Sequence, residues 1–370
     1  MSVLGLIFSN IHNKEVFEVT KYRTIASTPI GGRYRLIDFA LSNMVNAGIS
    51  HIGVITKNNY QSLMDHIGSG KEWDLARKNG GLVILPPYGV SDQFYNTRLE
   101  AIKGISSFIN HSNAEYVVLT DCYHVCNIDY KDILRFHHEK NADITCVYHK
   151  RVLNPDDYVP ANHFVVDEDS RVVKMDIINS YDGEFDASVD IWVMKRELLQ
   201  TLILEAVNTN YTSFNRDILS KNLKNLKIYG YEFTGYFGNI SSLRTYYKVN
   251  QDLLNKEVRD ELFNIPGRSI YTKVRDSAPT KYSDDAVIKN SLIADGCIIE
   301  GEVINSVIFR GTHVAKGCTV SNSILMQDTK LGENINLNDV VTDKNVKIKN
   351  KKDLSGNENF FVYVRKDGVL

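Results

Sequence analysis

Four short apolar runs, Leu4–Phe8, His51–Thr56, Leu82–Leu85 and Tyr116–Thr120, alternate with longer amphipathic stretches in the N-terminal part of the chain. Short runs rich in β-branched residues predict buried strands. From Leu36 to Ala47, the residues Ile37, Ala40, Leu41, Met44 and Val45 fall on one helical stripe, and Gly48 follows as its stop. Leu99–Phe108 and Ile133–His138 read the same way. Strand and helix in alternation predict an α/β domain with a mostly parallel sheet covered on both faces, its ligands outside the carboxyl ends of the strands. Between Asp143 and Val193 the pattern turns more β, with Asn162–Val166 and the following Asp167 reading as one arm and turn of a hairpin. Helical periodicity returns over Ser241–Leu254.

Past Asp284 a different pattern takes over. Val/Ile pairs recur every five or six residues with glycine between them, and Asn290–Ile293, Asn305–Ile308 and Asn322–Leu325 are near copies of one another. Their spacing is close to three hexapeptides per coil, the signature of a β-helix. The chain therefore divides into a Rossmann-like domain over 1–255, a connector over 256–283 that carries the turn signals Pro266-Gly267 and Ala278-Pro279, a β-helix over 284–346 and a tail over 347–370.

Charge narrows the function classes. With 43 Lys+Arg against 45 Asp+Glu in 370 residues there is no basic excess, which argues against a nucleic-acid or anionic-membrane binder. Met1–Phe8 lacks a basic flank and no apolar run nears the roughly 18 residues of a membrane span, so the expected location is the cytoplasm. Cys122, Cys126, Cys146, Cys297 and Cys318 have no metal-ligand spacing and read as reduced, buried residues. The run Lys344, Lys347, Lys349, Lys351 and Lys352 reads as a solvated face.

One stretch concentrates chemistry. Gly31-Gly32 permits a tight turn and delivers Arg33 and Arg35 to the start of a helix, where amide N–H groups favour anions. An anion site and an ordinary turn with its helix both fit these residues.

The run Gly31–Asn43, with His51–Thr56, Ser62–Ile67 and Trp73, resembles bacterial glucose-1-phosphate adenylyltransferase, the ADP-glucose pyrophosphorylase family. The resemblance continues through Gly235–Leu254, Ile270–Thr272, Ala278-Pro279 and the hexapeptides, and it implies a nucleotidyltransferase domain followed by a left-handed β-helix.

The departures point away from catalysis. The family's glycine-rich phosphate loop is replaced by Phe8–Thr20, which has no glycine and carries Glu15 and Glu18. Side chains there resist positive φ and block a phosphate's close approach to the backbone. The family's charge-neutralising lysine falls on Ile25, and its two Mg²⁺-binding aspartates fall on Tyr123 and Asn239, neither of them an anionic hard-metal ligand at neutral pH. The sugar-phosphate lysine finds only Asp176–Asn179. Asp121, two residues before Tyr123, is the one carboxylate offered as a substitute.

Arg23 and Arg35 match family positions that contact anionic effectors, with Arg33 beside them, and structural ion pairs are the alternative role for these arginines. The resemblance thus implies a regulatory, catalytically deficient subunit that binds no metal or other cofactor of its own. Mg²⁺ is expected in a catalytic partner, and the chain is expected to assemble into a hetero- or homo-oligomer. The competing readings are a self-sufficient nucleotidyltransferase using Asp121, an effector-binding homomer, and a hexapeptide acyltransferase using His313.

Overall fold

The structure, a computed structural model, describes residues 1–10, 16–87, 95–152, 161–178, 183–349, 351–357 and 360–370. Its main sheet is built from β1 (Val3–Phe8), β2 (His51–Ile55), β3 (Gly81–Leu85), β4 (Tyr116–Asp121), β5 (Ile144–Val152), β6 (Ala161–Val166), β7 (Val172–Ile178), β8 (Glu184–Lys195) and β9 (Ile228–Glu232). The spatial order β3-β2-β1-β4 is parallel throughout, as the apolar runs predict. Antiparallel β8 lies beside β4, so the sheet is mixed on that flank. β6 and β7 form the expected hairpin, and β9 runs parallel to β5. The chain places β2 and β3 on one side of β1 and β4 on the other, which makes the carboxyl ends of β1 and β4 a switch point where ligands of α/β folds bind.

The central strands are apolar without alternation because both faces are covered. Leu4, Leu6 and Phe8 point to a core shared with helices α2 (Arg98–Gly104), α3 (Ser106–His111) and α5 (Arg196–Asn208), while Ile7 packs towards α1 (Leu36–Asn46) and α4 (Tyr130–Glu139). α1 ends where the stripe predicts, with Gly48 at φ 82°. The single helix read over Leu99–Phe108 is two, α2 and α3, meeting at Ile105.

The C-terminal part is a three-faced parallel β-helix of five strands per face among the described residues, in keeping with the left-handed hexapeptide fold. Asn290, Asn305 and Asn322 take left-handed corners at φ 41°, 46° and 46°. Their amides stack as a ladder, Asn290 Nδ2 donating to Asn305 Oδ1 at 2.9 Å. Asparagine tolerates this region better than bulkier residues, which explains why the copies begin with it. Coil stacking does not end at 346: Lys347–Ile348, Asp353–Ser355 and Val362–Val364 extend the three faces where a tail was expected. A first strand, Lys281–Tyr282, also precedes Asp284.

The two parts share one apolar core. Val307, Phe309, Ile324 and Met326 of the solenoid join Phe39, Tyr246 and Val249 of the α/β domain. Tyr247 of α6 (Leu243–Asp252) stacks on Phe361 with centroids 4.0 Å apart and donates to the Asn322 carbonyl at 2.8 Å. The Gly31-Gly32 turn, both residues at positive φ, packs here. A Cβ on Gly31 would meet Leu253 at 2.9 Å.

Candidate functional site

Two charged clusters stand out, one in the cleft at the carboxyl end of β4 and one at the junction with the β-helix. Asp121 is the last residue of β4 and is buried. Asp190 reaches the same point from β8, at a place where the strand's register shifts between Ser188 and Trp192 and where Asp190 itself takes φ 54°. A bulge of this kind re-aims a side chain. Arg98, first residue of α2, meets both: Nε donates to Asp121 Oδ2 at 3.0 Å, and Nη2 donates to Oδ2 of both Asp121 and Asp190. The Trp192 ring lies against the guanidinium, 5.4 Å from its centroid. Burial alone would lower the Arg98 pKa, but the two carboxylates outweigh it and hold the guanidinium charged.

The sequence-predicted positions converge on this cleft in part. A two-residue antiparallel pairing sets Asn239 opposite His124, and the next amide, of Ile240, donates to the Tyr123 carbonyl at 2.9 Å. The Tyr123 hydroxyl donates to Asp190 Oδ2 at 2.9 Å, and burial, with Asp190 and Asp121 adding to it, raises its pKa well above the ordinary value. Ile25 does not join them; it is buried in the apolar core on a short turn, Ile25–Ser27. Asp176 pairs with Lys174 at 2.6 Å on β7. Asn179 and residues 11–15 of the replaced loop, Glu15 among them, lie outside the described residues, while Glu18 is exposed.

These residues do not suit Mg²⁺, which takes oxygen ligands with negative charge. Tyr123 is a protonated donor, Asn239 is neutral, and Asp121, the proposed substitute, is engaged by Arg98 together with Asp190.

The second cluster lies at the junction with the β-helix. Arg23, 2% exposed, donates through Nη2 to Asp343 Oδ1 at 2.6 Å and through Nη1 to the Val19 carbonyl at 3.0 Å. Asp343, 1% exposed, also accepts from the Tyr363 hydroxyl at 3.0 Å and from the Lys344 amide at 2.7 Å. Arg35 caps α1: its amide donates to Asp38 Oδ2 at 2.9 Å, and its guanidinium turns to Ser62, with the hydroxyl at 3.0 Å. Burial, opposed by Asp38 and helped by Arg275 and Arg23, brings the Arg35 pKa to about 10.

Lys344 belongs to this cluster and not to a solvated face. Burial first, then Arg35 and Arg23, with Arg275 adding to them against Asp343, lower its pKa to about 6. Arg23, Arg35, Arg275 and Lys344 thus share a field in which Asp343 is the nearest carboxylate to Arg23 and Lys344. Such an excess of cations suits an anion. Arg33 stands apart, exposed, over the Tyr34 ring at 5.7 Å.

Sequence reasoning missed Arg98, Lys344 and Arg275. For Arg98 there was a signal. Thr97 and Glu100 form a capping box, which places the arginine at a helix N-terminus, where a cation is disfavoured unless carboxylates await it.

Fold and cleft together define a nucleotidyltransferase-type domain joined to a hexapeptide β-helix. The nucleotidyl transferase family model matches residues 14–159, and the GlmU-like, C-terminal hexapeptide model matches residues 278–359. The glycogen biosynthesis protein GlgD of Bacillus subtilis (strain 168) is 34% identical over 357 residues, covering 96% of this chain and 93% of that protein. GlgD of Geobacillus stearothermophilus is 35% identical over 323 residues, 86% and 82%. The glucose-1-phosphate adenylyltransferase of Fervidobacterium nodosum is 30% identical over 355 residues, 94% and 84%. The chain belongs to the family of GlgD and glucose-1-phosphate adenylyltransferase.

Proposed function

We propose that this chain is a regulatory, catalytically deficient subunit of glucose-1-phosphate adenylyltransferase, supporting the synthesis of ADP-glucose from ATP and glucose 1-phosphate for glycogen in the cytoplasm. The observation that carries the reading is the state of the cleft: Tyr123, a phenol, donates to Asp190, and Arg98 neutralises Asp121 and Asp190, where phosphoryl transfer needs carboxylates open to a metal. Ile25, buried in the core, offers no charge to the transferring group. The cation cluster at the junction is the effector site in this proposal: Arg23 fixes the junction through Asp343, while Arg35, Lys344 and Arg275 receive an anion. Binding there neutralises the crowded charge and favours whichever arrangement of the two domains holds those cations together. Packed against a catalytic homologue, that preference shifts the homologue's population towards one state.

The test is the kinetics of a catalytic glucose-1-phosphate adenylyltransferase with and without this chain, repeated with Arg35→Ala. The expected outcome is a changed apparent substrate affinity or effector response that the substitution diminishes. An unchanged homologue in both cases refutes the regulatory role.

A further inference from the structure

We infer that Arg98 is a built-in replacement for a divalent cation: its guanidinium holds together the two cleft carboxylates that a metal ion would otherwise have to neutralise. The inference goes beyond the regulatory reading and does not rest on it.

The geometry is that of a bridging cation. Oδ2 of Asp121 and Oδ2 of Asp190 converge on a single nitrogen, Arg98 Nη2, although the two aspartates come from different strands. Two buried carboxylates facing one point repel each other, and a cation between them is what makes the arrangement tenable. Divalent ions at phosphate-handling sites are held by one or two carboxylates, with water and phosphate completing the shell. Here the charge comes from the chain itself. Arg98 is fixed from every side: Thr97 and Glu100 set the helix end that carries it, Trp192 lies against its face, and Tyr123 donates to Asp190 on the far side. The arginine also sits where the helix dipole opposes it, so its place is set by the carboxylates and not by the helix. A metal ion entering this cleft would first have to displace a covalently tethered competitor. The consequence is a cleft indifferent to divalent ions in the native chain and responsive to them once the guanidinium is removed.

The test compares thermal unfolding of the full chain, Arg98→Ala and Arg98→Ala/Asp190→Asn, with and without about 5 mM MnCl₂, together with Mn²⁺ binding followed by electron paramagnetic resonance. The wild type is expected to show no saturable Mn²⁺ binding and no shift. Arg98→Ala is expected to unfold at lower temperature and to recover by at least about 3 °C with Mn²⁺. The double variant is expected to lose that response, because one carboxylate is gone. Free guanidinium at low concentration should displace Mn²⁺ from Arg98→Ala. The inference is overturned if Arg98→Ala folds and ignores Mn²⁺, or if the wild type binds Mn²⁺ saturably and loses it in Asp121→Asn. Should Arg98→Ala fail to fold even with Mn²⁺, the wild-type titration and Asp121→Asn decide by the same criterion. None of these readouts requires turnover, so a failure here leaves the regulatory proposal standing, and the reverse holds as well.

Discussion

The cleft and the junction use the same residue types to opposite ends. In the cleft one arginine faces two aspartates, one of which also accepts from the Tyr123 hydroxyl, so carboxylate outnumbers cation. At the junction Arg23 is paired with Asp343, and burial first, with Arg35 and Arg23 next, lowers the Lys344 pKa to about 6. Charge balance decides what each place can do. The first is closed by its own side chains, and the second is left with a demand for negative charge.

Breaking the junction is expected to have the largest effect. Asp343→Ala leaves Arg23 buried without its carboxylate and should cost about 3–5 kcal/mol in urea unfolding. A loss well under that would mean that Arg23 is not locked by the β-helix. Next is the cleft, where Tyr123→Phe removes a donor to a charged acceptor and should cost about 2 kcal/mol. No loss there would show that Asp190 is content with Arg98 alone.

The pH dependence sharpens the contrast. An anion at the junction stabilises the protonated form of Lys344, so binding takes up a proton and weakens as pH rises above about 6. Sulfate, whose charge is constant in this range, should bind roughly tenfold more weakly at pH 8 than at pH 6, measured by calorimetry. Lys344→Gln should flatten that profile. Without an anion, folding releases this proton between about pH 6 and the ordinary lysine value of 10.5. The folded state binds fewer protons there than the unfolded one, so this group's contribution to stability rises with pH across that window. The smallest effect is expected from Arg33→Ala, less than about threefold on sulfate affinity, since an exposed charge is screened by solvent.

What could be read in the sequence was what is encoded locally. The stripe of α1 with Gly48 at its end, the four parallel strands and the asparagine corners each lie within a few residues, and the repeats multiply the signal. The charged clusters are not local. Asp121 is 23 residues from Arg98 and Asp190 is 92, and Asp190 arrives only through a register shift no periodicity announces. Lys344 was hidden by its neighbours: Lys347 and Lys349 are exposed, as a charge run predicts, while Lys344, whose amide donates to Asp343, is half-buried. The solenoid's end was misplaced for a related reason: Asp353 follows its partner Asn336 at the regular spacing of 353 − 336 = 17 residues, but Val362 follows Val340 by 362 − 340 = 22, so the last coil breaks the repeat yet still pairs in register.

The most direct measurement is pyrophosphate release by the purified chain alone with ATP, Mg²⁺ and glucose 1-phosphate, set beside a catalytic glucose-1-phosphate adenylyltransferase under the same conditions. No turnover above background is expected from this chain, and normal turnover from the other. Sustained pyrophosphate release by this chain alone would contradict that expectation.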